Sequence, residues 1–325
     1  MADFALPRID KDKVLRKLLL KYCRLKPGDV WDDPKKRHRV GCLDVADSES
    51  VIKLMNKKKA ALAIQDPPYN LIAFNKTSND RFIGWCKDWV DLTDKCLMRN
   101  SSHYIWLGAD QTKHFEPFAG FILMMQDSGF KSKSFITMRN QRGYGTQKNW
   151  MSIRQELLYY VKGIPRFNVK AVYTDIPKIL KGYYKTVNGE MTENIERSKS
   201  DKIRAGNVWV DIQQVFYLME ENVNGCFAQK PVKAIERIIS ASSKKNDLVI
   251  DFFSHAGTTL VASELLGRKC NTIDIDPVYC EISIRRLERL RKYGKIGWQK
   301  GNPFEKEINN DNKIQSHLKK FYNEK

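Results

Sequence analysis

The stretch DLVIDFFSHAGTTLVASELLG (residues 247–267) contains an apolar strand, a short loop of small residues and a helix that ends at a glycine. We predict the strand over 247–253 and the helix over 258–267. In a βα turn of this kind, loop N–H groups and the helix N-terminus meet a nucleotide-type ligand. A second strand, CNTIDID (270–276), ends in Asp274 and Asp276. Either carboxylate follows Asp251 by roughly the twenty residues typical of a ribose-binding acid. The alternative is an ordinary buried corner in which Asp251 caps the helix.

A second motif follows another short apolar run. ALAIQ (61–65) is stopped by Asp66-Pro67-Pro68-Tyr69-Asn70, which predicts a buried strand that ends in a rigid loop. The Asp66 carboxylate and the Pro67 carbonyl can accept the two N–H groups of an exocyclic amine. Tyr69 offers a flat face to a base. The alternative is a proline-rich turn with a capping aspartate.

Strand-like and helix-like segments alternate on both sides of an irregular stretch. This alternation predicts an α/β fold with a doubly wound, mostly parallel sheet. The predicted organisation has five parts: a basic N-terminal arm with one helix (1–37), a catalytic half (38–162), a target-recognition insertion (163–205), a cofactor-binding half (206–295) and a polar, peripheral C-terminal tail (296–325).

The charge of the chain predicts a polyanionic partner. There are 57 lysines and arginines against 38 acidic residues, a net charge of +19. Between Asp127 and Glu156 no acidic residue occurs, and we interpret this run as facing phosphates. The predicted DNA contacts in this run and in the insertion are Arg139, Arg142, Lys148, Arg166 and Lys170.

Other classes of protein fit the sequence poorly. No stretch is long and apolar enough for a bilayer, and no secretion signal is visible at the N-terminus. The seven cysteines form no CxxC pair, so we expect no metal site and no disulfide framework, and a reducing cytoplasm as the compartment. A cytosine-C5 methyltransferase needs a nucleophilic cysteine, typically after proline, and no proline here precedes one.

Together the two motifs resemble the S-adenosylmethionine-dependent DNA amino-methyltransferases of restriction–modification systems, in the beta group, where the catalytic motif comes first. RQELLYYVKG (154–163), GCFAQKPVKAIERII (225–239) and LLGRKCNTIDIDPVYCEISIRRLERL (265–290) are similar to family segments in the same order. The chain departs from the family at His255, where glycine is usual, at Cys226-Phe227-Ala228, where His-Pro-Thr is usual, and at Gly41, where an acidic residue is common.

The resemblance implies a Rossmann-like methyltransferase fold in permuted order. It also implies direct methyl transfer to a base rotated out of duplex DNA. The catalytic residues would be Asp66, Pro67, Pro68 and Tyr69, with Asn70 and Phe74 near the base. Asp251 would face the methionyl ammonium, Phe253 the sulfonium and Asp274 the ribose, with Asp276 as second choice for the ribose or as a helix cap. The remaining predicted cofactor contacts are His255, Gly257, Thr258, Thr259 and, near the carboxylate, Lys230.

The target base and the partners are less closely defined. Adenine N6 is favoured, because enzymes that act on cytosine N4 more often carry serine where Asp66 stands. There are three alternatives. The first is an N4-cytosine enzyme, and the second is a non-catalytic DNA-binding subunit whose cofactor loop His255 prevents from binding. The third is an RNA or protein methyltransferase. Double-stranded DNA is the predicted partner, and a homodimer and a cognate restriction enzyme are left open.

Overall fold

A computed structural model describes residues 6–68, 78–108, 113–144, 150–177, 184–193 and 200–323. The strands are β1 (Val30–Asp32), β2 (His38–Cys42), β3 (Ala60–Gln65), β4 (Leu97–Trp106), β5 (Lys131–Tyr144), β6 (Ser152–Lys162), β7 (Tyr173–Pro177), β8 (Tyr184–Val187), β9 (Glu190–Glu193), β10 (Lys202–Arg204), β11 (Val208–Trp209), β12 (Leu248–Asp251) and β13 (Lys269–Asp274). The helices are α1 (Lys13–Leu19), α2 (Ser48–Met55), α3 (Asn79–Cys96), α4 (Phe118–Gln126), α5 (Val232–Ser242), α6 (Thr258–Leu265), α7 (Pro277–Tyr293), α8 (Glu305–Asn310) and α9 (Asn312–Asn323).

Nine strands form one sheet in the order β1-β2-β13-β12-β3-β4-β6-β5-β11. The run from β2 to β4 is parallel, whereas β1 and β6 pair antiparallel with their neighbours. The predicted α/β fold with a mostly parallel sheet is confirmed. The cofactor strands β12 and β13, late in the sequence, lie between the early strands β2 and β3, which is the permuted order expected from the resemblance.

Helices cover both faces of the sheet. Alternate side chains of β3 point to opposite faces, so that Ala63 joins the core under α2, α3 and α4, while Leu62 and Ile64 join the core under α5 and α6. β3 and β12 are therefore buried on both sides, which explains why their sequences are continuous apolar runs.

Helix boundaries follow local capping chemistry. Predicted at 84–98, α3 begins at Asn79, because the Ser78 hydroxyl accepts a hydrogen bond from the Arg81 N–H. The predicted helix at 114–128 is shorter as α4, which follows Pro117. No described helix is long and apolar enough to cross a membrane.

The insertion and the two ends of the chain differ in structure. Within 163–205, β7 pairs with β10 and β8 with β9 in two small antiparallel sheets. The tail, expected to be polar and peripheral, buries Phe304, Ile308, Ile314 and Leu318 against the apolar side chains of the N-terminal arm. His317 also contacts Asp12 at 2.8 Å. The arm and the tail thus share a small core, which also includes Val278 and Ile282 of α7.

Candidate active site

The acidic residues of both motifs follow neighbouring strands. Asp66 follows β3, Asp251 ends β12 and Asp274 ends β13. Because β12 lies between β13 and β3 and all three are parallel, their carboxyl ends meet at one edge of the sheet. Ligands of open α/β sheets bind at such an edge. We refer to it below as the carboxyl edge.

Asp251 is a buried carboxyl group that organises the cofactor loop. Its Oδ1 accepts a hydrogen bond from the Phe253 N–H at 2.8 Å, and the Thr259 side chain hydrogen-bonds to it as well. Burial raises the pKa of Asp251 to about 7, and the nearby Asp66 carboxylate contributes to the rise. A ligand ammonium can pair with such a carboxyl group and stabilise its charge, which burial has deprived of hydration.

The two acidic residues at the end of the β13 segment, Asp274 and Asp276, have different roles. Asp274 accepts hydrogen bonds from the backbone N–H groups of His255, at 2.9 Å, and Asp276, at 3.0 Å. Burial raises the pKa of Asp274 to about 7. Asp276 caps α7 by accepting from the Val278 N–H, and it pairs with Arg16 at 2.6 Å. Of the two options for Asp276, the structure therefore shows the helix cap.

The turn between β12 and α6 requires left-handed backbone at two residues. Gly257 has φ +70°, and a Cβ there would lie 2.8 Å from the Ser283 Cα in α7. His255 has φ +45°, the region that glycine adopts without strain. Its ring packs 4.9 Å from the Tyr279 ring, and burial lowers the pKa of His255 to about 4. The imidazole therefore adds a ring contact to α7.

The side chains of the two threonines at the start of α6 interact with neighbouring residues of the protein. The Thr258 hydroxyl donates to the Lys230 carbonyl at 3.2 Å and accepts from Arg286 at 3.0 Å. Thr259 is buried beside Asp251. Phe253, on the loop, packs against Trp85 and Trp89 of α3.

The catalytic motif is joined directly to the cofactor strand. The Gln65 Oε1 accepts a hydrogen bond from the Phe252 N–H at 2.8 Å. Asp66, Pro67 and Pro68 follow, whereas Tyr69, Asn70 and Phe74 lie outside the described residues. Lys230, expected near the cofactor carboxylate, places its Nζ 2.6 Å from Asp66 Oδ2.

Two important residues were missed by the sequence analysis. Gln65 was treated only as the last residue of a strand. Arg286 is fully buried and donates to the carbonyl oxygens of Ala256 (2.8 Å), Ile296 (2.6 Å) and Glu221 (3.2 Å). Burial lowers the pKa of Arg286 to about 10. The signal was its position four residues after the buried Ile282, on the inward face of α7.

The predicted DNA contacts do not form one surface. In β6, Leu157 pairs with Trp106 near the carboxyl edge and Lys162 with Ser101, five register positions or roughly 17 Å away. Arg166 and Lys170 follow β6 and therefore lie toward the opposite edge. Arg139 pairs with Arg154 beyond the carboxyl edge, on the same side as Asp66. Arg142 belongs to β5, and Lys148 lies outside the described residues.

The buried Asp251 and the half-buried Asp274 end adjacent strands beside Asp66, which is followed by two prolines, as expected for an amino-methyltransferase. The chain belongs to a family of DNA methylases that modify N6 or N4 amino groups, since the sequence model of that family matches residues 60–285. The expected class, the S-adenosylmethionine-dependent DNA amino-methyltransferases of restriction–modification type, is thereby confirmed.

Individual relatives agree with this assignment. The type II methyltransferase M1.MboII of Moraxella bovis is 30% identical over 262 residues, which cover 75% of this chain and 93% of the relative. The DNA adenine methyltransferase YhdJ of Escherichia coli K12 is 28% identical over 259 residues, covering 76% and 82%. The solved structure of the cytosine-N4-specific PvuII DNA methyltransferase superposes with a TM-score of 0.55 at 16% identity, covering 76% and 85%, and shares the fold.

Proposed function

We propose that this chain methylates the N6 amine of adenine in a specific sequence of double-stranded DNA, after the base has rotated out of the duplex. The observation that carries the proposal is the position of Asp66. It follows β3, beside the buried Asp251, and the hydrogen bond from Phe252 to Gln65 fixes the distance between the two strand ends. An amine held at Asp66 is therefore adjacent to the cofactor loop.

The residues of the carboxyl edge fit S-adenosylmethionine, which supplies a methyl group on a sulfonium when bound. We assign Asp251 to the ammonium of the cofactor and Asp274 to its ribose hydroxyls. Asp251 is buried and Asp274 is half-buried, and backbone N–H groups fix both carboxyl groups. Electrostatic contacts of this kind are strong where water is excluded.

Asp66 and the Pro67 carbonyl would accept the two N–H groups of the target amine. These bonds draw the amine lone pair out of conjugation with the ring and aim it at the methyl carbon. The bound cofactor would supply the methyl group and keep the electron pair of the broken S–C bond on sulfur. The methylated amine would give up one proton along its hydrogen bond to Asp66 and on to solvent. The protein contributes position and charge, with no covalent enzyme intermediate.

The assignment of adenine is supported by Asp66 itself, because enzymes that act on cytosine N4 more often carry serine at this position. The test is direct: incubation with S-adenosylmethionine labelled in the methyl group and duplex DNA, followed by digestion to nucleosides. We expect the label in N6-methyldeoxyadenosine. Label in N4-methyldeoxycytidine would assign the cytosine alternative.

The matched control is Asp66→Ala, for which we expect loss of methyl transfer with cofactor affinity within about three-fold of the wild type. Near-normal turnover of this variant would remove Asp66 from the mechanism.

A non-catalytic DNA-binding subunit is the second candidate, because His255 stands where glycine is usual. Calorimetry of the natural chain and of His255→Gly separates them: we expect both to bind the cofactor, whereas binding by the glycine variant alone would favour the subunit.

We further propose that sequence recognition lies in residues 163–205; a homodimer and a cognate restriction enzyme are left open as partners. The two small sheets in this segment lie outside the main sheet, and the turn at 188–189 between β8 and β9 is exposed. Light scattering with and without duplex DNA measures the assembly. A strictly monomeric, active chain would exclude the dimer.

A further inference from the structure

We infer that Lys230 is a positioning residue for methyl transfer, which pairs with the Asp66 carboxylate and holds it in one orientation. The inference rests on the proposed function, in which Asp66 binds the target amine. Lys230 Nζ lies 2.6 Å from Asp66 Oδ2, and only 10% of the lysine side chain is exposed against 26% of the aspartate side chain. An ion pair so far removed from water is screened much less than a surface pair.

The backbone on the Lys230 side is fixed by hydrogen bonds. The Lys230 carbonyl accepts from the hydroxyl of Thr258, the first residue of α6. The preceding Gln229 is buried; its amide donates to the Glu221 carbonyl at 2.8 Å and accepts from the Val223 N–H at 3.1 Å. The ammonium group therefore reaches the carboxyl edge from a rigid attachment, which is what positioning requires.

Asp66 needs a cation because of its other neighbours. Asp251 and His255 interact electrostatically with Asp66, and burial lowers the pKa of His255 to about 4, so that its ring is neutral at pH 7. Of these two neighbours, the Asp251 carboxyl group repels the negative charge of Asp66. Among these three neighbours, Lys230 alone supplies a positive charge at neutral pH.

The ionisation of Asp66 matters for the reaction. An ionised carboxylate offers only acceptor oxygens, whereas a protonated one presents an O–H donor and loses acceptor capacity. The ionised carboxylate therefore accepts hydrogen bonds from an amine that offers two N–H groups, whereas the protonated form directs its own O–H group at those donors. Lys230 thus acts through Asp66 on the turnover step.

The alternative role for Lys230 is a direct contact with the cofactor carboxylate. The two roles predict different kinetic changes. A lysine that binds the cofactor affects the KM and the Kd for the cofactor. A lysine that positions Asp66 affects kcat, because its contribution appears only when the amine is held for transfer.

The experiment compares Lys230→Met and Lys230→Arg with the wild type in the full chain, with Lys87→Met as the control. Lys87 forms a 2.6 Å surface ion pair with Asp91 on α3 and has no assigned role at the carboxyl edge. Steady-state kinetics with duplex DNA are measured across pH 5 to 9, and cofactor affinity by calorimetry. We expect Lys230→Met to lose about 100-fold in kcat with cofactor Kd within about three-fold. We also expect the acidic limb of its pH–rate profile to move to higher pH. Lys230→Arg should recover most of the rate, and the control should match the wild type.

Three results would overturn the inference: a ten-fold weaker cofactor Kd at unchanged kcat, a loss of kcat without movement of the acidic limb, or no rescue by arginine. If the wild type itself transfers no methyl group, the proposed function fails, but the ion pair is still tested. Melting temperatures of Lys230→Met, Asp66→Asn and the double variant then decide. Non-additive shifts support the pairing of the two side chains, and additive shifts overturn it.

Discussion

Gly257→Ala should destabilise the protein by about 2–5 kcal/mol. Two terms make up this cost. The left-handed φ of +70° costs an L-residue roughly 1–2 kcal/mol. The added methyl group would also lie 2.8 Å from the Ser283 Cα, which is backbone of α7 and can yield only if the helix moves. Overpacking of that kind costs about 1–3 kcal/mol.

Gly294→Ala is the matched control for this prediction. Gly294 ends α7 with φ +67°, and no atom lies within 4 Å of the position where its Cβ would stand. It therefore carries the conformational term and lacks the steric term. The difference between the two variants isolates contact between the cofactor turn and α7.

Denaturant unfolding of the wild type and both variants measures the free energies, and calorimetry measures cofactor binding. We expect Gly257→Ala to lose about 1–3 kcal/mol more than Gly294→Ala and to bind the cofactor more weakly, because the loop from Phe252 to Gly257 shifts with α7. Equal losses in the two variants would refute the described packing of this turn.

Three further predictions concern single side chains. Asp274→Ala should weaken cofactor binding by ten-fold or more, through loss of a charge-assisted contact of about 1.5–3 kcal/mol; Asp276→Ala should instead cost about 1 kcal/mol of stability as a lost cap, and the reverse pattern in calorimetry and unfolding would exchange their roles. Arg139→Ala should reduce the slope of log DNA affinity against log salt by about one unit, through loss of one phosphate contact; an unchanged slope would place Arg139 away from DNA. The pKa of Asp251 in the fold, about 7, exceeds that of an unfolded aspartate, so its ionisation destabilises the unliganded fold as pH rises from about 4 to about 7. Relative to wild type, Asp251→Asn should therefore gain stability across this window, by at most about 1.4 kcal/mol per pH unit, and gain no more above it; a pH-independent difference in melting temperature would contradict this.

The central strands of the sheet were predictable because each carries its signal locally. β3 and β12 are short apolar runs that end at an aspartate, and burial on both faces demands that pattern. The turn after β12 was equally visible, since Gly257 precedes a helical pattern. The position of His255 in left-handed backbone was not predictable, because a histidine leaves that choice to the surrounding packing.

The connections between the two halves could not be predicted. Gln65 and Phe252 are 187 residues apart, and Asp66 and Lys230 are 164 apart, and no local pattern encodes a pair at such separation. The position of Arg166 relative to the carboxyl edge was not predictable for a similar reason: β6 runs antiparallel to β4 and carries the chain away from that edge before Arg166. In the tail, Phe304 and Ile308 have helical spacing, but the many polar residues around them gave no indication that this face is buried.

The packing of the arm against the tail also bears on how the order of the two motifs can change. Asp12 and His317 are 305 residues apart in sequence and hydrogen-bond at 2.8 Å, so a short linker could join the two ends of the described chain. A circular permutant with such a linker, opened within 163–205, would begin with the cofactor half and finish with the catalytic half. Its strands would keep the same neighbours, because the new break lies outside the main sheet. Both motif orders are thus accessible to one architecture through a change of backbone connectivity alone.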